Sequence, residues 1–156
     1  HKATSELPQN VYCLEPESRK LSVVLGDVKG PNGLCFSPDE KTLYVVESRA
    51  TPNRLILAWD VEGNTLKNKR VYLDCGNGTA DGIACDADGN LWCGWGSGNE
   101  ELDGVRIFNL RVSISAPLNC QSAARTCALA ANSAIVCLWR PARQSIRCTS
   151  MRRALS

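Results

Sequence analysis

Residues 30–48, GPNGLCFSPDEKTLYVVES, return about fifty residues later as residues 80–98, ADGIACDADGNLWCGWGSG. In the first copy LCFSP reads as a short strand, Asp39-Glu40-Lys41 as a turn and TLYVVES as a second strand. RLILAWDV and KRVYLD follow as two more strands, separated by the turn-forming Glu62-Gly63-Asn64. In the second copy IACDADG, LWCGWG and GVRIFN supply three strands in the same order, and upstream NVYCLEP and KLSVVLGD read as the last two strands of an earlier unit. A four-stranded unit recurring at about 40–50 residues marks a β-propeller blade. The expected class is therefore all-β, with roughly two to two and a half blades of a ring that closes at about four to eight. The rest of the ring lies outside this sequence, or apolar faces and strand edges stay exposed.

A net charge of +2 over 156 residues is too small to suggest a nucleic-acid or membrane partner. No run of about 18 apolar residues is present to span a bilayer. The opening HKATSELPQN has no charged-then-apolar signal pattern and no initiator Met, so it reads as mid-protein sequence. Cys13, Cys35, Cys75, Cys85 and Cys93 show no CxxC spacing and are expected mostly as reduced thiols in strands, with a zinc site or disulfide framework as the alternative. Reduced thiols point to the cytoplasm, and a periplasmic or secreted location stays open because the missing N-terminus could carry an export signal. The sole histidine is His1, which all but excludes histidine-dependent catalysis.

The repeat gives Asn32 and Asp81 the same structural position, just before the innermost strand of successive blades and at one mouth of the channel. Two readings stand side by side. Asn-Gly and Asp-Gly are ordinary turn pairs, because both tolerate positive φ. Equivalent amide and carboxylate oxygens from neighbouring blades also make a site for a hard cation, since calcium takes six to eight oxygen ligands. Asp39, Glu40 and Asp88 are expected in solvated hairpin turns, and Glu47 at a strand end that lines the channel or faces water. Trp59, Trp92 and Trp95 are expected to pack between blades, with pocket-shaping as the alternative for Trp95. Glu100, Glu101 and Asp103 read as an acidic loop.

GPNGLCFSPDEKTLYVVES, ADGIACDADGNLWCGWG and ELDGVRIFN resemble the lactonase family that contains gluconolactonase and the senescence marker protein regucalcin. The resemblance runs through about residues 7 to 109. It implies a six-bladed propeller with one divalent metal, calcium or zinc, at the top of the channel, and hydrolysis of sugar lactones. It also implies that Asn32 and Asp81 bind the metal and that Asp81 accepts and donates the proton. The family's remaining ligand, a Glu of the first blade, and its substrate-positioning Arg and Asn come from sequence not present here, so no substrate-binding residue is assigned. The expectation is a metallolactonase in the parent protein and an inactive fragment by itself. The alternative is a non-enzymatic propeller that binds a protein or small ligand at its channel mouth. No oligomeric state is implied.

Residues 1–109 read as the propeller part and 110–156 as an atypical tail. All sixteen acidic residues lie at or before Asp103 and all twelve glycines at or before Gly104, whereas seven arginines follow Leu110. The tail matches a misread frame. Thr126–Ala131, TCALAA, written ACC TGT GCT TTG GCG GC, becomes Leu-Cys-Phe-Gly-Gly when read from the last base of its first codon. The same offset turns CLWRP into Phe-Met-Ala-Ala and RCTSMRRAL into Leu-Tyr-Val-Asn-Ala-Gln-Gly-Ala, phrases of the family's final blade in family order. A one-base shift near Leu110 is expected, with the tail as translated irregular or helical.

Overall fold

A computed structural model describes residues 7–15, 17–96 and 103–109, together with backbone strands at 114–118, 135–138 and 148–150. His1, Glu100 and Glu101 lie outside the described residues. The strands are β1 (Val11–Leu14), β2 (Leu21–Leu25), β3 (Pro31–Phe36), β4 (Thr42–Glu47), β5 (Leu55–Glu62) and β6 (Thr65–Asp74). They continue with β7 (Thr79–Cys85), β8 (Leu91–Gly96), β9 (Gly104–Phe108), β10 (Ile114–Leu118), β11 (Ile135–Leu138) and β12 (Cys148–Ser150). No helix occurs among the described residues.

Each copy of the repeat becomes one antiparallel sheet in chain order, β3-β4-β5-β6 and β7-β8-β9-β10. The apolar runs LYVV and LILAW explain the placing of the first sheet. Leu43, Val45, Leu57 and Trp59 point to one face, where they pack with Val11, Leu25, Val28 and Leu34. Tyr44, Val46, Ile56 and Ala58 point to the other and pack with Leu91, Cys93, Trp95 and Phe108 of the second sheet. A strand buried on both faces needs apolar residues at every position, so these runs lack the alternation of a half-exposed strand. Val45, Val46, Ile56 and Ala58 are each 0% exposed, and the first sheet is the filling between its neighbours. Lys69 of β6 ties the same layers at the rim through a 2.6 Å ion pair with Asp27.

The hairpin turns are knotted by carboxylates. Asp39 Oδ1 accepts from Ser37 Oγ at 2.6 Å and from the Lys41 amide at 3.1 Å. In the second copy Asp86 accepts from the amides of Asp88 and Asn90, from Asn90 Nδ2 and from Trp92 Nε1 at 2.9 Å. The Trp92 indole foremost, then the Asn90 amide, hold the Asp86 carboxyl down to about 2. Asp39, Glu40 and Asp88 are exposed turn residues, as the sequence suggested.

The tail departs from the irregular or helical expectation. β10 pairs antiparallel with β9, Ile114 opposite Phe108, and completes the second sheet as its fourth strand. β11, inside the apolar stretch CALAANSAIVCLW, takes the open blade edge and not a helix: it pairs parallel with β1, and β12 pairs with β11. The reason lies in the edges: the outer side of β9 and the inner side of β1 offer unpaired backbone groups, and any extended segment satisfies them whatever its side chains. Pro117, which has no N–H to give, is accommodated because β10 is an edge strand.

Candidate functional site

Asn32 and Asp81 lie within strands β3 and β7, not in turns before them. Pro31 pairs with Glu47 and Leu34 with Val45, so Asn32 and Gly33 together oppose the single residue Val46. Ala80 pairs with Trp95 and Ile83 with Cys93, so Asp81 and Gly82 oppose Gly94 in the same way. Both copies therefore carry a β-bulge at the same place, and none of the four bulge residues has positive φ. The turn reading is corrected: the X-Gly pair supplies the extra residue of a bulge, a device that re-aims a side chain out of the ladder.

The two bulges face each other across the blade boundary. A Cβ at Gly33 would overlap the Asp81 carbonyl oxygen and press on the Ile83 nitrogen, so only a bare Cα lets the inner strands approach this closely. Asn32 Nδ2 donates to Asp81 Oδ1 at 2.5 Å, joining residues forty-nine apart in sequence. Asn32 Oδ1 is buried and meets no hydrogen-bond donor among the described residues. An orphaned buried acceptor costs about 1–3 kcal/mol unless something electropositive meets it. An amide oxygen in that condition beside a carboxylate is the donor chemistry a hard cation takes, so the residues present fit a divalent ion. They fit it in part, since no cluster of three or more His, Cys, Asp or Glu residues exists among the described residues.

The approach to each bulge is clamped by the strand that follows it. Glu47, 7% exposed at the end of β4, accepts the Lys29 amide on Oε1 at 2.8 Å. This carboxylate, left open between channel and solvent by the sequence, is thus a buried anchor. In the second copy the position paired with Ala80 is Trp95, buried against Phe108 at 5.4 Å between ring centroids and covered by the Arg106 guanidinium at 4.9 Å. Its indole lies against Gly78, where any Cβ would overlap Nε1.

Trp59 and Trp95 pack between sheets as expected, whereas Trp92 does not. It is 38% exposed and turns outward because its indole N–H reaches Asp86. A cavity of about 300 Å³ lies at the other end of the inner strands, lined by Ser37, Asp39, Thr42, Tyr44 and Asp88 among others, and Trp95 takes no part in it. Cys13, Cys35, Cys85 and Cys93 are strand thiols, while Cys75 follows the end of β6.

The family model described as SMP-30/gluconolactonase/LRE-like region matches residues 1–132. The chain belongs to that family. It is 39% identical over 90 residues to a gluconolactonase of Zymomonas mobilis, covering 53% of this chain and 25% of that protein. It is 28% identical over 144 residues to a lactonohydrolase of Aspergillus oryzae, covering 74% of this chain and 31% of the relative. Among solved structures, a gluconolactonase of Xanthomonas campestris superposes with a TM-score of 0.61 at 32% identity, covering 74% of this chain and 36% of the other. The chain thus spans about a quarter to a third of the length of the curated relatives it matches. Its two repeat sheets are blades of that family's β-propeller, and the bulges carrying Asn32 and Asp81 are features of consecutive blades.

Proposed function

We propose that Asn32 and Asp81 form part of a divalent-cation site that serves hydrolysis of a sugar lactone in the protein to which this chain belongs. The observation that carries the reading is the orphaned Asn32 Oδ1 beside the Asp81 carboxylate, with the relatives named gluconolactonase and lactonohydrolase as support for the substrate class. Oxygen-only donors favour calcium over zinc, which prefers nitrogen and sulfur ligands. When bound, the ion would polarise the lactone carbonyl and acidify a water.

Asp81 does the proton work. Its carboxylate takes a proton from the attacking water as the water oxygen bonds to the carbonyl carbon; the ring C–O bond then breaks, and the proton passes to the departing ring oxygen. The product is an open hydroxy acid, and no other reactant is consumed. Asn32 Nδ2 keeps Asp81 Oδ1 in a fixed orientation, so the carboxylate does not have to be ordered at the moment of reaction.

Two protein oxygens are few for a site of six to eight, so the 156-residue chain by itself is expected to bind the ion weakly and to show no appreciable lactone hydrolysis. The proposal includes the tail: a one-base shift near Leu110 replaces the family's last-blade phrases, and resequencing across that codon tests it. For the function, the test is titration of the chain with calcium and zinc, followed by lactone hydrolysis in a pH-stat by a form carrying the restored blades. Cation-dependent acid release supports the lactonase reading. Tight small-ligand binding without acid release would instead mark a non-enzymatic propeller.

A further inference from the structure

Glu47 is a buried carboxylate that faces a backbone amide instead of a cationic side chain, and its neighbours repeat the attachment. The Ser48 amide and Oγ donate to the Gly30 carbonyl at 3.1 and 2.7 Å, and the Arg49 amide donates to the Lys29 carbonyl at 3.1 Å. Gly30, at φ 62°, lies beneath the Arg49 side chain, which reaches Gln9 Oε1 at 2.9 Å. Three consecutive residues at the end of β4 therefore hold the two residues that precede β3. Pro31 pairs with Glu47 itself, and Asn32 is next.

The second copy has the same arrangement in different chemistry. Trp95 is the register equivalent of Glu47, since Pro31 pairs with one and Ala80 with the other. Lys29 stands three residues before Asn32 and Gly78 three before Asp81, and these are the residues that Glu47 and Trp95 hold. One grip is a hydrogen bond and the other an indole pressed on a bare Cα. A purely packing role at position 47 would be filled by an apolar residue, as at Val45 and Val46.

We infer that Glu47 and Trp95 are matched positioning residues that fix the two bulges relative to one another and so orient the Asn32 amide toward Asp81. The inference rests on the cation-site reading above. Outer partners that orient a ligand typically change metal affinity without touching the metal.

The test uses the full 156-residue chain and terbium(III), a luminescent stand-in for calcium. Glu47→Ala is expected to weaken terbium binding roughly 10- to 100-fold, while Glu47→Gln, which keeps an acceptor oxygen for the Lys29 amide, stays within about twofold of the parent. Val45→Ala, a buried change on the same strand, controls for general destabilisation and leaves affinity unchanged. A loss in Glu47→Ala no greater than in Val45→Ala overturns the inference. If Glu47→Ala does not fold, Ser48→Ala removes one bond of the same anchor, and an affinity equal to that of Val45→Ala overturns it equally. Should the parent chain bind no terbium, these two oxygens do not suffice to hold the ion, and amide exchange at residues 29, 30, 32 and 33 decides: selective acceleration in Glu47→Ala upholds the positioning role, and rates equal to those of Val45→Ala reject it.

Discussion

The Cα of Gly33 rests against the carbonyl oxygen of Asp81, and this approach of two backbones brings the inner strands of consecutive blades together. Gly33→Ala places a methyl where the Asp81 carbonyl and the Ile83 nitrogen already stand. Overpacking against backbone that cannot rotate away is expected to destabilise the chain by about 1–3 kcal/mol. A urea midpoint indistinguishable from the parent would show that the blades separate without penalty.

Asp81→Asn retains an acceptor oxygen for Asn32 Nδ2, so the fold should persist while the charge is lost. Lactone hydrolysis by a form with the restored blades is expected to fall roughly 10²- to 10⁴-fold, the usual contribution of a general base. Retention of most of the activity in the pH-stat would remove Asp81 from the chemistry.

Ile56 is 0% exposed between the two repeat sheets, whereas Val71 is 57% exposed on the neighbouring strand. Ile56→Ala is expected to lower unfolding stability by about 2–5 kcal/mol, and Val71→Ala to stay within about 0.5 kcal/mol. Equal denaturation midpoints for the two variants would contradict the double-faced burial of the first repeat sheet.

Asp86 carries the pH dependence that can be read most directly. Its carboxyl is held at about 2, below the ordinary 3.8, by the Trp92 indole and the Asn90 amide. A folded value below the unfolded one means a stabilising contribution that is fully present above pH 3.8 and fades as pH falls through about 2. Asp86→Asn should therefore be less stable than the parent at pH 6, with the gap narrowing towards pH 2. Parallel stability curves from urea titrations across this range would show that the turn does not depend on the charge.

Much of this was legible in the residues. The doubled phrase, with its apolar runs and glycine punctuation, located all nine strands up to Phe108 and gave Asn32 and Asp81 equivalent places. The Asn-Gly and Asp-Gly pairs misled at one point, because the same dipeptides serve turns and bulges; what selects the bulge is the register of the partner strand, set by Val46 and Gly94. Trp92 was misplaced for a similar reason, since its partner Asp86 becomes a neighbour only when the hairpin closes.

The sequence by itself determined the blade period, the all-β class, the family and the equivalent places of Asn32 and Asp81, because these depend on local pattern and on identity at repeated positions. Only the tertiary structure decided that Asn32 and Asp81 meet, that Glu47 and Trp95 clamp corresponding points, and that segments of the tail add strands to open edges. Those facts rest on contacts between residues tens of positions apart. Such contacts follow from how closely two bare backbones pack and from which strand edges still lack a partner.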